Sequence, residues 1–241
     1  MPLNDLQKRL VADNATDFTG LNALFVNTTL KPGNGAPSHT QDLVDDSIAI
    51  MKGCGIETLC LRAADFRIAF GVSPDMREEG AEIDDWPEKI WPKVREADIL
   101  VIGSPIWLGE ESSICRVIIE RLYAHSGQRN EKGQYVYYGK VGGTIITGNE
   151  DGIKHVAKTV LYSLQHIGYA IPPQADCGWI GEAGPGPSYG DETEDGRRAG
   201  YDSVFTRRNL TFMTFNLMHM ARMLRQSGGL PDYGNQTTEW D

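Results

Sequence analysis

Hydroxyl, histidine and glycine residues gather in three short stretches of this sequence. In the first, residues 28–40, Thr28, Thr29, Ser38, His39 and Thr40 stand just before an amphipathic run. Hydroxyls and free backbone N–H groups at a helix start, beside the positive end of the helix dipole, suit a phosphate monoester. The stretch lacks the Gly-Lys-Ser/Thr of a Walker loop, and Gly33 and Gly35 lack the third glycine of a dinucleotide-binding turn. Ser38 would equally serve as a plain helix cap, and His39 as a surface residue.

The second stretch, Ser104-Pro105-Ile106-Trp107-Leu108-Gly109, sets an aromatic ring in a turn after a buried strand. A flat heteroaromatic ligand needs such an apolar wall with backbone groups at its edge. A Trp beside a Pro also packs well with no ligand at all. The third stretch, Thr147-Gly148-Asn149-Glu150-Asp151-Gly152, puts glycines where backbone can approach a ligand closely, and offers Asn149 to an electron-rich ring edge. Its acids, Glu150 and Asp151, also favour the dipole of a following helix.

The elements that must position these stretches read as alternating strands and helices. Continuous apolar runs at 21–27, 56–61, 97–103 and 140–146 have the composition of strands buried on both faces of a parallel sheet. A proline-marked run beginning at 169–173 reads as a fifth strand at an edge. Between them, Leu43, Val44, Ile48 and Met51 recur at helical spacing, with Gly53 or Gly55 ending that helix. A helix capped by Ser112 or Ser113 turns Ile114, Val117, Ile118 and Leu122 inward and Arg116, Glu120 and Arg121 to water. Another spans 153–167, with Val156, Val160, Leu161 and Leu164 inward. Residues 63–95 are irregular, and residues 181–200, rich in Gly, Pro and acids, read as loop. A final helix holds Leu210, Phe212, Met213, Phe215, Leu217, Met218 and Met223, apolar enough for core packing or an oligomer seam.

Such alternation predicts one α/β domain over 1–241: a doubly wound, five-stranded parallel sheet with its core at about 20–180, and a loop plus C-terminal helical extension at 181–241. Sheets of this kind bind ligands beyond the carboxyl ends of their strands. All three polar stretches follow strands, so they gather at one rim.

The 241 residues carry 33 Asp+Glu against 23 Lys+Arg, a formal charge of −10. This balance argues against nucleic acid as a partner, which needs clustered Lys and Arg. No apolar run approaches the roughly 20 residues that would span a bilayer, and the first residues do not read as a signal peptide; the expected location is the cytoplasm. Cys54, Cys60, Cys115 and Cys177 are scattered and read as small buried hydrophobes, so neither a metal site nor a disulfide framework is expected.

Taken together, the three stretches resemble those of NADPH-dependent FMN reductase-like, flavodoxin-fold proteins. Ser104 to Gly109 followed by Ser112-Ser113-Ile114-Cys115-Arg116 resembles their Ser-Pro-aromatic-x-Gly turn, residues 27–40 their phosphate loop, and Thr147 to Gly152 their third flavin loop. The likeness covers about residues 20–180. It implies bound FMN, with Thr28, Ser38, His39 and Thr40 holding the phosphate. Pro105, Ile106, Trp107, Leu108 and Gly109 would then flank the isoalloxazine, and Thr147, Gly148, Asn149, Glu150, Asp151 and Gly152 would reach its other edge. The first loop is longer than the family's and lacks its arginine; Leu30 stands there with Lys31 beside it, leaving most phosphate binding to neutral donors and the helix end. The stretch 62–71 has none of the clustered cysteines of related iron–sulfur flavoproteins.

The resemblance further implies a homodimer or homotetramer, with NADPH or NADH as electron donor and a small-molecule electron acceptor such as a quinone. Flavin carries such chemistry itself, so no catalytic side chain is singled out. Acids near the ring, Glu150 and Asp151, would disfavour an anionic reduced state and lower its potential. Trp179 or Tyr189, in the segment after the fifth strand, would reach the rim and cover the flavin, or else simply pack. A flavodoxin-like electron carrier without NAD(P)H activity, docking through its acidic surface, is the alternative. A binding module that kept the fold and lost the flavin is a third reading.

Overall fold

A computed structural model describes residues 3–35, 37–182, 184 and 186–240. Met1, Pro2, Ala36 within the first polar stretch, Ala183 and Pro185 within the segment after the fifth strand, and Asp241 lie outside the described residues. The chain runs α1 (Asp5–Ala12), β1 (Asn22–Asn27), α2 (His39–Gly53), β2 (Glu57–Arg62), α3 (Trp91–Glu96), β3 (Ile99–Trp107), β4 (Glu110–Glu111), α4 (Ser113–Tyr123), β5 (Val141–Gly148), α5 (Ile153–Ile167), β6 (Asp176–Ile180) and α6 (Val204–Gln226). Strand order is β2-β1-β3-β5-β6, with every neighbouring pair parallel and the two-residue β4 added antiparallel to the end of β3. Counting the five long strands alone, this is the 2-1-3-4-5 order of the flavodoxin-like fold.

Side-chain alternation along the central strands builds two cores. Leu24, Val26, Leu100, Ile102 and Ile146 point to α3, α4 and α5. Ala23, Phe25, Ile99, Val101 and Ile145 point to α2 and α6. Helix α6 is therefore a structural layer beside α2: Leu210, Met213, Leu217 and Met218 are fully buried, while Phe212 and Met223 face outward.

Four expectations need correction. β3 and β5 do not stop at 103 and 146; Ser104 pairs with Ile146 and Pro105 with Thr147, so both strands carry their polar ends into the ladder. Pro105 is tolerated because pairing with β1 ends at Gly103, leaving that side of β3 without a ladder for the missing N–H. The fifth strand lies at Asp176–Ile180, not at 169–173, where Ala170 makes only an isolated bridge to Val141. Pro172 and Pro173 cannot donate to a ladder and fall in the connection; the edge position holds. Leu161 is only half-buried on α5. Arg121, read as facing water, is fully buried and paired with Asp84.

Next to that pair lies an aromatic stack. His125 lies flat on Trp91, with centroids 3.7 Å apart, and its Nε2 accepts a hydrogen bond of 2.9 Å from the Trp86 indole N–H. Only an unprotonated Nε2 can accept. Burial, with Arg121 nearby, pulls its pKa down to about 4. The unfolded chain takes up this proton near pH 6.5 and the folded chain only near 4, so protonation between those values favours unfolding. Stability is expected to fall as pH drops through that window, by up to about 3 kcal/mol from this group. Urea midpoints of wild type and His125→Phe measured from pH 7 to 4 check this: the variant is weaker at pH 7 and flatter below it.

Candidate functional site

Asn27, the last residue of β1, ties the strand end to the helix start. Its Nδ2 donates to Ser38 Oγ (3.1 Å) and Gln41 Oε1 (2.8 Å), and its Oδ1 accepts from Thr29 N (3.0 Å). Ser38 caps α2, accepting from Gln41 N. With two donors already directed at it, the Ser38 hydroxyl keeps its own proton to give outward. The first-turn N–H groups of His39 and Thr40 have no carbonyl within the helix to bond. Thr40 Oγ1 lies 2.7 Å from Thr147 Oγ1, joining α2 to the end of β5. Gly103 eases this close approach, because a Cβ there would lie 3.1 Å from both Thr40 and Val44. The loop between β1 and α2 is braced from the β2 side, by Gly33 N on Asp65 Oδ1 (2.6 Å) and by Arg62 on the Pro32 carbonyl (3.2 Å).

Beyond Trp107 the chain reverses through Leu108 and Gly109, with φ of 53° and 82°. Two successive positive φ values at the centre of a two-residue hairpin make a type I′ turn, an uncommon setting for leucine. Trp107 is half-exposed and Leu108 almost fully exposed. The hairpin leans on the third stretch, since a Cβ on Gly152 would sit 2.7 Å from the Gly109 carbonyl oxygen.

A cavity of about 320 Å³ opens among these elements. Thr29, Lys31, Ser38, His39 and Thr40 line one end, and Pro105, Ile106 and Trp107 one side. Thr147, Gly148, Asn149 and Glu150 line the other side, and Gly184, Gly186, Ser188 and Tyr189 complete it. Ten of the fifteen residues expected from the sequence thus share one cavity, and five do not line it. Thr28 turns into the scaffold, its Oγ1 donating to the Gly103 carbonyl (2.8 Å) and its own carbonyl accepting from Ser112 Oγ (2.6 Å). Leu108, Gly109, Asp151 and Gly152 form the hairpin contact outside, and Asp151 Oδ1 accepts from Gly152 N (2.8 Å).

The cavity is also lined by residues absent from the expected set. Lys31, beside the Leu30 of the first loop, also lines this end, and its exposed side chain adds a cation to the neutral donors there. Thr29, Gly184, Gly186 and Ser188 join too; the hydroxyls of the first loop were the available signal for Thr29, whereas nothing periodic marks residues 184–188. Tyr189 lines the cavity while itself buried, and Trp179 packs edge-on against it at 5.5 Å without lining the cavity.

The donor chemistry fits FMN. A lysine, a hydroxyl with a free proton and helix-start N–H groups at one end suit a phosphate dianion. Pro105, Ile106 and Trp107 give an apolar wall for a flat ring, and the ends of two strands bring backbone edges to it. Among the described residues no group of three His, Cys, Asp or Glu could hold a metal ion, and no helix is long and apolar enough to cross a membrane.

The strand order and the cavity at its switch point are those of the flavodoxin-like fold, whose ligand site lies at this position. Residues 32–178 match the NADPH-dependent FMN reductase family, and the chain belongs to that family. Over 218 residues it is 38% identical to the 8-demethyl-8-aminoriboflavin-5'-phosphate synthase of Streptomyces davaonensis, covering 86% of this chain and 79% of that protein. It is 57% identical over 208 residues to part of a Mycobacterium bovis protein named divalent metal cation transporter MntH, covering 86% of this chain but only 30% of that protein. The chain therefore spans under a third of the length of that relative. Among solved structures, RosB with a bound 8-demethyl-8-formylriboflavin-5'-phosphate intermediate superposes with a TM-score of 0.77 at 37% identity, over 88% of this chain and 83% of that one. An NADH:FMN oxidoreductase, EmoB in its apo form, shares the fold at a TM-score of 0.53 and 10% identity, over 90% of this chain and 94% of that one.

Proposed function

We propose that this chain is an NAD(P)H-dependent reductase that holds FMN in this cavity and passes reducing equivalents to a small acceptor. The observation that carries the reading is the pairing, in one cavity, of an anion-suited end at Lys31, Ser38 and the α2 start with an apolar wall at Pro105–Trp107. FMN, when bound, supplies a two-electron acceptor for the nicotinamide hydride and returns those electrons to an acceptor such as a quinone.

The protein's own share is to bind, orient and tune. Lys31, Ser38 and the His39 and Thr40 N–H groups hold the phosphate. Ile106, buried, and Trp107, half-exposed, exclude water from one side. Glu150 brings a carboxylate to the cavity, which opposes build-up of negative charge there and lowers the potential of a bound flavin. Asp151, facing away, contributes less.

The relative from Streptomyces supports a second reading. That protein is named for making a modified riboflavin 5'-phosphate, so the flavin in this cavity would be substrate instead of resident cofactor. One experiment separates the two. The purified protein is loaded with FMN, freed of excess, and titrated anaerobically with NADH and then NADPH while its visible spectrum is followed. Bleaching of retained flavin is the expected result and names the donor. Retained flavin that neither nucleotide reduces favours an electron carrier, and the second reading is favoured if a parallel aerobic incubation, with oxygen as oxidant and an amine as nitrogen donor, returns a flavin of altered mass. No retained flavin sinks the assignment.

A further inference from the structure

Residues 186–191 lie outside the stretch that matches the family, yet they tie both sides of the cavity together. On the β5 side, Asn149 Nδ2 donates to the carbonyls of Gly186 (2.9 Å) and Pro187 (3.0 Å), and its Oδ1 accepts from Ser188 Oγ (3.0 Å). On the α2 side, His39 Nδ1 donates to the Tyr189 carbonyl (2.8 Å), with an Asp191 carboxylate oxygen 3.6 Å away. The segment is itself braced: Ser188 N donates to Asp191 Oδ2 (2.8 Å), and the Tyr189 ring packs against Trp179 and Tyr201. Gly181 lets it lie this close, because a Cβ there would sit 2.6 Å from the Pro187 oxygen and 3.0 Å from Asn149 Nδ2.

Both ends of the Asn149 amide are thereby engaged with this segment, although the residue lines the cavity. We propose that Asn149 and Ser188 are positioning residues: they latch residues 186–191 as a preformed wall that governs how firmly the site retains its flavin phosphate. The proposal rests on the reading that this cavity takes FMN. It predicts that losing either side of the latch speeds flavin release and leaves capture unchanged, because a loosened wall no longer obstructs departure.

The test measures FMN binding by quenching of flavin fluorescence, with association and dissociation rates, for wild type, Ser188→Ala, Asn149→Ala and the double variant. Each single change is expected to weaken FMN by about two- to tenfold, the cost of a half-buried hydrogen bond, through faster dissociation. The double variant should be no weaker than the worse single, since both act through one latch. Ser188→Thr, which keeps the hydroxyl, should bind as wild type. Gly181→Ala should reproduce the loss without altering any cavity-lining residue. Thermal midpoints matching wild type show that the variants are folded. A silent Ser188→Ala beside a weakened Asn149→Ala, or losses that multiply, would overturn the latch of Asn149 with Ser188. Wild-type protein that binds no FMN would instead overturn the functional reading, and this inference with it.

Discussion

Truncating Asp84 to alanine is expected to destabilise the fold by about 3–5 kcal/mol, the cost of leaving one partner of a buried ion pair uncompensated. Asp84 and Arg121 are both fully buried and meet at 2.7 Å. The carboxylate also accepts from the backbone N–H groups of Ala69 (3.3 Å), Met76 (3.1 Å) and Trp86 (3.2 Å). Arg121 donates to the carbonyls of Ser73 (2.6 Å) and Pro74 (3.0 Å) and lies over the Trp86 ring at 5.6 Å. The pair is therefore the anchor for an irregular segment that has no ladder of its own. Replacing a buried pair by apolar residues is often neutral elsewhere, but here Asp84→Leu with Arg121→Met would still strand five backbone groups. Urea unfolding should find the double variant nearly as weak as Asp84→Ala. A double variant as stable as wild type would show that the charges matter and the backbone contacts do not. Typical total stabilities are about 5–15 kcal/mol, so the single change alone threatens folding at ambient temperature.

Arg121 also shows where sequence reasoning stops. Spacing places it three residues after Ile118 and seven after Ile114, on the inner stripe of α4. Its charge argued for water, and charge lost because Asp84, 37 residues earlier in a segment without periodicity, supplies the counter-ion. The central strands were legible for the opposite reason. Both faces of β1, β3 and β5 are covered by helices, so their sequences are continuous apolar runs that need no partner to be recognised. Their ends were not legible, because Ser104, Pro105, Thr147 and Gly148 look like turn residues while still pairing in the ladder. Those polar ladder ends are what bring the cavity walls together.

The site divides along the same line. Ser38, His39 and Thr40 could be found because a helix start has a local signature, and Pro105 to Trp107 because an aromatic beside a strand end stands out. Thr28 misled because a threonine next to a helix-start loop says nothing of which way its hydroxyl turns; Gly103 and Ser112, far along the chain, decide that. The wall at 186–191 was legible only through Tyr189, an aromatic in the segment after the fifth strand, since most of its contacts with Asn149 and His39 run through backbone carbonyls that any residue could offer.

Lys31→Ala is expected to weaken FMN by about tenfold and to leave riboflavin, which has no phosphate, unchanged. Lys31 lines the anion-suited end while remaining exposed, and the backbone of its loop is held independently of its side chain by Thr29, Asp65 and Arg62. Removing the ammonium should therefore leave the unfolding midpoint alone. A charge-assisted hydrogen bond is worth roughly 1.5–3 kcal/mol, and exposure to solvent trims that toward the lower bound, about tenfold in affinity. Screening gives a second signature: the wild-type preference for FMN over riboflavin should shrink as salt rises, and the variant's should change less. Ser38→Ala provides the contrast, because it also removes the cap of α2 and should lower stability by about 1 kcal/mol together with affinity. If Lys31→Ala lowers FMN and riboflavin affinity equally, the phosphate is not at this end of the cavity. The ligand would then have to enter with its ring toward α2, where Ser38, His39 and the Thr40–Thr147 pair offer polar groups and no apolar wall.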